Sequence, residues 1–418
     1  MKKILFKERL TEKEKRNLDI LESIRKAGKI SRSDISKITS LNIVTVSNYV
    51  GEYIKKGLVL ECGLDVSTGG RKPELVELNP KYGYTIGVDL GPVHIVEDAY
   101  MEAVLIDVTA KIIAKARVKK EAADFGNLDK VVSIVKDVIK KGSVDKNKLF
   151  KIGLGIGGVL DRYKGIVRVP VKGGETVDYF AIQDKLEDEF GVSSIIENDA
   201  NSAALGEKWA GLGMKAGIEN MICMCSDSGA GLIIKGELYP GSSSVAGELN
   251  VNSPVEGDKN KTCWSSYSLG CCLRSRGIDL GIASRAKAYC DEHKDYHKGS
   301  KMCELVKGDI NKLTIQVAAE AAKAGDKLAK DLLEEAGDYL GTKVAFLINV
   351  FNPDIVIIGR GIERGGDLLL NAMRNAVGKW TFSEAMKTAR VVITSLGEDS
   401  IAIGAAALAM QNVFIEVL

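Results

Sequence analysis

One short pattern occurs twice in this chain and restricts its fold more than any other feature. Tyr84-Thr85-Ile86-Gly87-Val88-Asp89-Leu90-Gly91 is an apolar run that stops at a carboxylate and a glycine, and Met221 to Cys225 leads in the same way into Ser226-Asp227-Ser228-Gly229-Ala230-Gly231. Short apolar runs closed by Asp and Gly read as buried strands ending in tight turns. After the first come a hairpin, Ala103 to Asp107 with Ile112 to Val118, a helical stretch and a further strand over Lys151 to Gly158. After the second come Leu232 to Lys235, a Gly236-Glu237 turn, helical periods from Lys312 to Asn349, a strand Ile355 to Ile358 and a small-residue helix Ile401 to Met410. Two strand-rich units, each followed by helices, predict a duplicated α/β body with a ligand cleft between its halves.

Before this body lies a segment of different character. Residues 1–80 carry 11 Lys and 5 Arg against 3 Asp and 8 Glu, so a head of net charge +5 precedes a mildly acidic remainder in a chain of +2 overall. The whole-chain charge marks neither a nucleic-acid nor a membrane binder, and the asymmetry carries the information. Leu18, Ile20, Leu21 and Ile24 recur at helical spacing up to Ala27-Gly28; Ser31 to Asp34 opens a second helix ending near Thr39; and a third runs from Asn42 or Ile43 to Lys56, with Val46, Val50 and Ile54 on one stripe. Thr45, Ser47 and Asn48 face elsewhere. Two short helices across a tight turn, followed by strands Leu58–Cys62 and Leu75–Leu78 around a polar turn, form a winged helix-turn-helix. Asn42, Thr45, Ser47 and Asn48 suit phosphate and base-edge hydrogen bonds, and Arg71 and Lys72 at the wing tip suit a minor groove. Alone, such a tip reads as a solvated charged turn; its place after a helix-turn-helix makes it a DNA contact.

Eight cysteines in 418 residues are too dilute for a disulfide framework, the first residues lack the apolar core of a signal peptide, and no apolar stretch approaches the ~20 residues of a membrane helix. A cytoplasmic protein without a membrane partner is expected.

The segment Glu197-Asn198-Asp199-Ala200-Asn201-Ser202-Ala203-Ala204-Leu205-Gly206-Glu207, with Gly236 to Gly241 and Gly247-Glu248, resembles the sugar-site motifs of the ROK family of repressors, open reading frames and sugar kinases. The head with its Gly-Gly-Arg-Lys-Pro turn is similar to the regulator branch of that family. The resemblance covers nearly the whole chain and implies an actin-like ATPase (ribonuclease H-like) sugar-kinase-type body: a head over 1–80, a first lobe over 81–200, and a second lobe with a dimerisation surface over 201–418. It implies Asp161, Asn198, Asp199 and Glu248 as sugar-binding residues, Asp199 also as catalytic base where kinase chemistry survives, and Asp89, Gly91, Gly229, Gly231, Gly359 and Gly361 as nucleotide-binding residues. A carboxylate beside the accepting hydroxyl is what phosphoryl transfer to a sugar requires. Asn198 and Asp199 also suit a plain helix cap, and the two roles are compatible.

The sequence departs from the kinase pattern at each nucleotide contact. Pro92-Val93-His94 replaces a Gly-Gly-Thr turn, Asp227 places a carboxylate where phosphate would lie, and Arg360 stands in place of a small residue. The family's structural zinc segment has also lost its spacing: Gly247 to Val251 contains no His, and Cys263, Cys271 and Cys272 remain as a broken ligand set for which free thiols are the favoured reading. Cys290, His293, His297 and Cys303 lack paired metal-site spacing. Trp209 reads as a core residue more readily than as a sugar platform. ATP-Mg is therefore doubtful as a cofactor. The expected protein is a transcriptional regulator, a homodimer or higher homo-oligomer, that binds a double-stranded DNA operator and senses a sugar or sugar phosphate without phosphorylating it. An ATP-dependent hexose or N-acetylhexosamine kinase with a DNA-binding head is the alternative. A third reading is a regulator whose body serves only for dimerisation.

Overall fold

The computed structural model describes residues 10–64, 74–91, 100–120, 127–161, 164–168, 176–215, 217–226, 229–249, 280–293, 300–309, 312–359 and 361–418. The chain divides into two compact units, Met1–Ala210 with Ile401–Leu418, and Gly211–Ser400. Among the described residues no helix is long and apolar enough to cross a membrane.

In the first unit the head begins with α1 (Glu12–Ala27), whose Thr11 and Glu14 form a reciprocal capping box and whose Gly28 ends it at φ 73°. A two-residue strand β1 (Ile30–Ser31) leads into α2 (Arg32–Thr39), capped by Ser31, and α3 (Ile43–Lys55), capped by Asn42. Strands β2 (Val59–Leu64) and β3 (Glu74–Leu78) pair antiparallel, and β1 adds to β3. Arg32 reaches both wing strands, 2.9 Å from Glu61 and 3.0 Å from Glu74. The wing turn with Arg71 and Lys72 lies outside the described residues.

The body of this unit is a sheet of β4 (Tyr84–Asp89), β5 (Tyr100–Asp107), β6 (Ile112–Lys119), β7 (Leu149–Ile156) and β11 (Ser194–Asn198) in the order β11-β7-β4-β5-β6. The hairpin strands are antiparallel, and β7 and β11 run parallel to β4 and β7. Helices α4 (Leu128–Gly142), α5 (Tyr179–Phe190) and α6 (Asp199–Ala210) follow this sheet's strands, and a small sheet of β8 (Val159–Asp161), β9 (Ile166–Arg168) and β10 (Thr176–Asp178) joins β7 to α5.

The second unit repeats the plan. Strands β12 (Met221–Met224), β13 (Ala230–Ile234), β14 (Glu237–Leu238), β15 (Ile355–Ile358) and β16 (Arg390–Ile393) stand in the order β14-β13-β12-β15-β16, again with an antiparallel meander and two parallel additions. Helices Ile315–Lys323, Lys327–Phe351 and Gly366–Trp380 contribute most of its core.

The C-terminal helix Ser400–Glu416 crosses this order. Its position in the chain assigns it to the second lobe, but it packs in the first unit. Glycines explain the placement. A Cβ on Gly87 of β4 would lie 1.9 Å from the Ala402 carbonyl oxygen, one on Gly153 of β7 1.9 Å from that of Ala405, and one on Gly404 1.6 Å from that of Ser202 in α6. Only bare backbone lets this helix lie so close to the sheet and to α6. Its far end, Ala407, Met410, Phe414 and Ile415, shares a core with the head and with Trp209.

Candidate functional site

Strand β11 ends where α6 begins, at the carboxyl ends of parallel strands, the position at which open α/β sheets present ligand-binding loops. Asn198 closes the junction. Its side-chain oxygen accepts from Ala200 N at 2.9 Å and Asn201 N at 3.2 Å, and its amide donates to the Gly158 carbonyl at 3.0 Å. Gly158 takes φ 112°, and a Cβ there would meet the Arg168 carbonyl oxygen at 2.8 Å, so the loop reaches Asn198 only as glycine. Buried Glu197 braces the same turn through Asn198 N at 2.9 Å and Asn201 Nδ2 at 3.1 Å. Asp199 stands half-buried at the first position of α6, and Asp161, half-buried at the end of β8, accepts from Lys164 N at 3.1 Å. β8 packs beside β11. Asn198 thus serves first as a cap and as a tie to the β7–β8 loop, while the two carboxylates stand on adjoining segments.

Asp89 is buried at the end of β4, and its Oδ1 accepts from Gly91 N at 2.8 Å. Gly91 has φ 74°, and a Cβ on it would lie 2.4 Å from the Tyr100 carbonyl oxygen. Lys120, not singled out by sequence pattern, is buried here and donates to the Leu90 carbonyl at 2.9 Å. Pro92 to His94 lie outside the described residues.

In the second unit Gly229 and Glu248 face each other in an isolated antiparallel bridge, and Ala230 N donates to the Gly247 carbonyl at 2.9 Å. Gly247 has φ 87°, and a Cβ there would fall 1.8 Å from the Ala230 carbonyl oxygen. The structure therefore joins a glycine assigned to the nucleotide and a glutamate assigned to the sugar. Gly231 continues β13. Gly359 donates to the Met224 carbonyl at 3.0 Å, placing it beside the β12 turn, and Gly361, at φ 92°, donates to Glu363 at 2.9 Å. Asp227, Arg360, Trp264, His297, Cys263, Cys271 and Cys272 lie outside the described residues. Cys290 and Cys303 are buried, and His293 stacks on Tyr289. Among the described residues no group of His, Cys, Asp and Glu could hold a metal ion.

In the head, Asn42 accepts from Thr45 N at 2.7 Å and is the cap of α3. Thr45 and Ser47 are half-buried and Asn48 is exposed. Two buried contacts, among others, seat the head on the body of the same unit. Tyr53 of α3 donates to Asn17 of α1 at 2.8 Å, and Asn17 donates to the Ile415 carbonyl at 3.1 Å; burial pushes the Tyr53 phenol well up and keeps it a donor. Arg25 of α1 donates to the Trp209 carbonyl at 2.9 Å and lies 4.0 Å above the Trp209 ring, which is fully buried against Phe414. Burial lowers the Arg25 guanidinium to about 10 despite nearby Glu22. Its Nε and Nη2, and the indole Nε1 of Trp209, find no partner among the described residues. This joint is packed but incompletely satisfied. Trp209 is a core residue, and its pairing with Arg25 spans too much sequence to be read locally.

The chain carries a helix-turn-helix with a paired wing, and each of its two units holds a sheet of the same five-stranded order. The chain belongs to the ROK family, which it matches over residues 85–412. It is 28% identical over 386 residues to the xylose repressor of Caldicellulosiruptor bescii, covering 92% of each chain. The crystal structure of a ROK family transcriptional regulator, a homologue of the E. coli Mlc protein, superimposes with TM-score 0.72 at 20% identity over 96% of both chains and shares the fold. A ROK glucokinase from Streptomyces griseus, solved with glucose and AMPPNP, has TM-score 0.61 and 26% identity, covering 79% of this chain and all (100%) of its own. The fold class is thus an actin-like ATPase-type body with an added N-terminal domain, as the resemblance implied.

Proposed function

We propose that the protein is a DNA-binding transcriptional regulator whose body binds a sugar and signals its presence to the head, acting as a homodimer on a double-stranded operator. A single observation carries this reading: α6 begins at the candidate sugar residues Asn198 and Asp199 and ends at Trp209, on which Arg25 of the head rests. At 1.5 Å per residue its 12 residues span about 18 Å, so one rigid element connects ligand site and head. Arg25 Nε and Nη2 and Trp209 Nε1 are buried at this seat without partners among the described residues, so a displacement that brings them partners relieves part of their desolvation cost. A sugar held by Asp199 and Asp161 shifts α6 and thereby the head.

The full-length relative named a xylose repressor makes D-xylose the first sugar to try. The test selects bound duplexes from a random pool with the full-length protein, then titrates sugars against the selected duplex. Sequence-specific binding that a sugar relieves supports the reading; ATP-dependent sugar phosphorylation without specific DNA binding supports the kinase alternative.

A further inference from the structure

The outward face of α3 is not uniformly polar. Its buried positions, Val46, Val50 and Tyr53, fix its orientation, and the opposite side presents Ile43, Val44, Ser47 and Asn48, which recur at helical spacing. Val44 is 65% exposed and Ile43 45%, in the first turn of the helix; Ile38, in the last turn of α2, is 63% exposed. These three aliphatic side chains lie within seven consecutive residues of the most basic part of the chain, between exposed Lys37 and Asn48. Nothing in the head's core uses them, since its cluster draws on Leu18, Leu21, Ile24, Ile35, Val46, Val50 and Tyr53. An aliphatic patch flanked by amide and ammonium groups, at the turn of a helix-turn-helix that approaches a major groove, matches one feature of duplex DNA: the thymine C5-methyl, the methyl group that the four standard bases present on that groove's edge.

We infer that Val44, with Ile43 beside it, reads thymine methyl groups in the major groove. This rests on the DNA-binding role proposed above. Asn42 commits its side-chain oxygen to Thr45 N and Thr45 is half-buried, so the aliphatic side chains of Ile43 and Val44 make up much of the exposed surface of this turn. Apolar contact to methyls then carries discrimination at those base pairs, and the bound half-site contains thymine opposite the first turn of α3.

The test keeps the full-length chain. A duplex selected from a random pool is remade with each thymine replaced in turn by deoxyuridine, which deletes the methyl and keeps the O4 acceptor. Wild type is expected to lose about fourfold in affinity at one or two thymines per half-site, about 0.8 kcal/mol per buried carbon. Val44→Ala, at an exposed helical position that tolerates alanine, is expected to bind the thymine duplex about fourfold more weakly and to be indifferent to uracil at one of those sites. Equal uracil effects in wild type and in both Val44→Ala and Ile43→Ala, or no effect at any thymine, would overturn the inference while leaving DNA binding intact. Failure of the pool to enrich any sequence would overturn the DNA-binding reading and this inference with it.

Discussion

Replacing Gly404 with alanine tests the packing on which the route from sugar site to head depends. The added Cβ would lie 1.6 Å from the Ser202 carbonyl oxygen and 2.8 Å from Gly206 N, both backbone atoms of α6. Ordinary contact begins at 3.4 Å, so the C-terminal helix and α6 must separate by nearly 2 Å. Where flexible side chains can yield, overpacking costs about 1–3 kcal/mol; against backbone the expected loss is about 3 kcal/mol or more, a large part of a typical 5–15 kcal/mol stability. Gly378→Ala is the matched control. It lies inside helix Gly366–Trp380 at an exposed site where a Cβ meets nothing within 4 Å, and it should gain about 0.5–1 kcal/mol from helix propensity. Urea unfolding followed by circular dichroism and tryptophan fluorescence reads both variants. A Gly404→Ala protein as stable as wild type would refute the close approach of these helices.

Four further outcomes follow from the geometry. Asn42→Ala should destabilise the head by about 1 kcal/mol through loss of the α3 cap, while Asn42→Asp should keep the cap yet weaken DNA binding by repelling phosphate, seen in thermal melts and anisotropy. Asp199→Asn should abolish the sugar response with DNA affinity unchanged; sugar titration by calorimetry beside a DNA-binding curve checks both. Trp209→Phe should keep most of the buried volume but remove part of the seat for Arg25, reducing the sugar's effect on DNA affinity at least threefold without loss of sugar binding. Hydrogen bonds from Lys37 and Ser31 hold the Asp34 carboxyl below its usual value, so its support of the α2 start is present above the unfolded pKa and is lost as pH falls through the lower folded one; Lys37→Ala should move the midpoint back up in an NMR titration.

The head helices and strands β2 to β7, β12, β13 and β15 were readable from sequence because each has a local signal. The apolar run Tyr84–Asp89, the helical spacing of Leu18, Leu21 and Ile24 and the stop at Gly28 all act over a few residues. What could not be read is what depends on distant pairs. The C-terminal helix follows the second unit in sequence, and only the bare backbone of Gly87 and Gly153, more than 200 residues earlier, shows where it rests. Arg25 and Trp209, 184 positions apart, carry no shared motif. The site itself was half legible. Asn198 and Asn42 stood out as polar residues at helix starts, yet the same chemistry that suits a hydroxyl or a base edge also suits a cap, and the structure uses both as caps. Glu248 and Gly229 were assigned to separate ligands because the bridge that joins them is isolated, outside any strand, and leaves no local pattern in the sequence.

The most direct measurement is fluorescence anisotropy of the selected duplex titrated with the full-length protein, with and without saturating D-xylose and then a panel of hexoses and amino sugars. Typical couplings between sites of 1–3 kcal/mol predict that one sugar weakens specific binding by about 5- to 150-fold, and that Asp199→Asn removes this shift. Specific binding that no sugar alters, in a protein whose calorimetry shows no sugar uptake, would contradict the account and leave the body as a dimerisation scaffold.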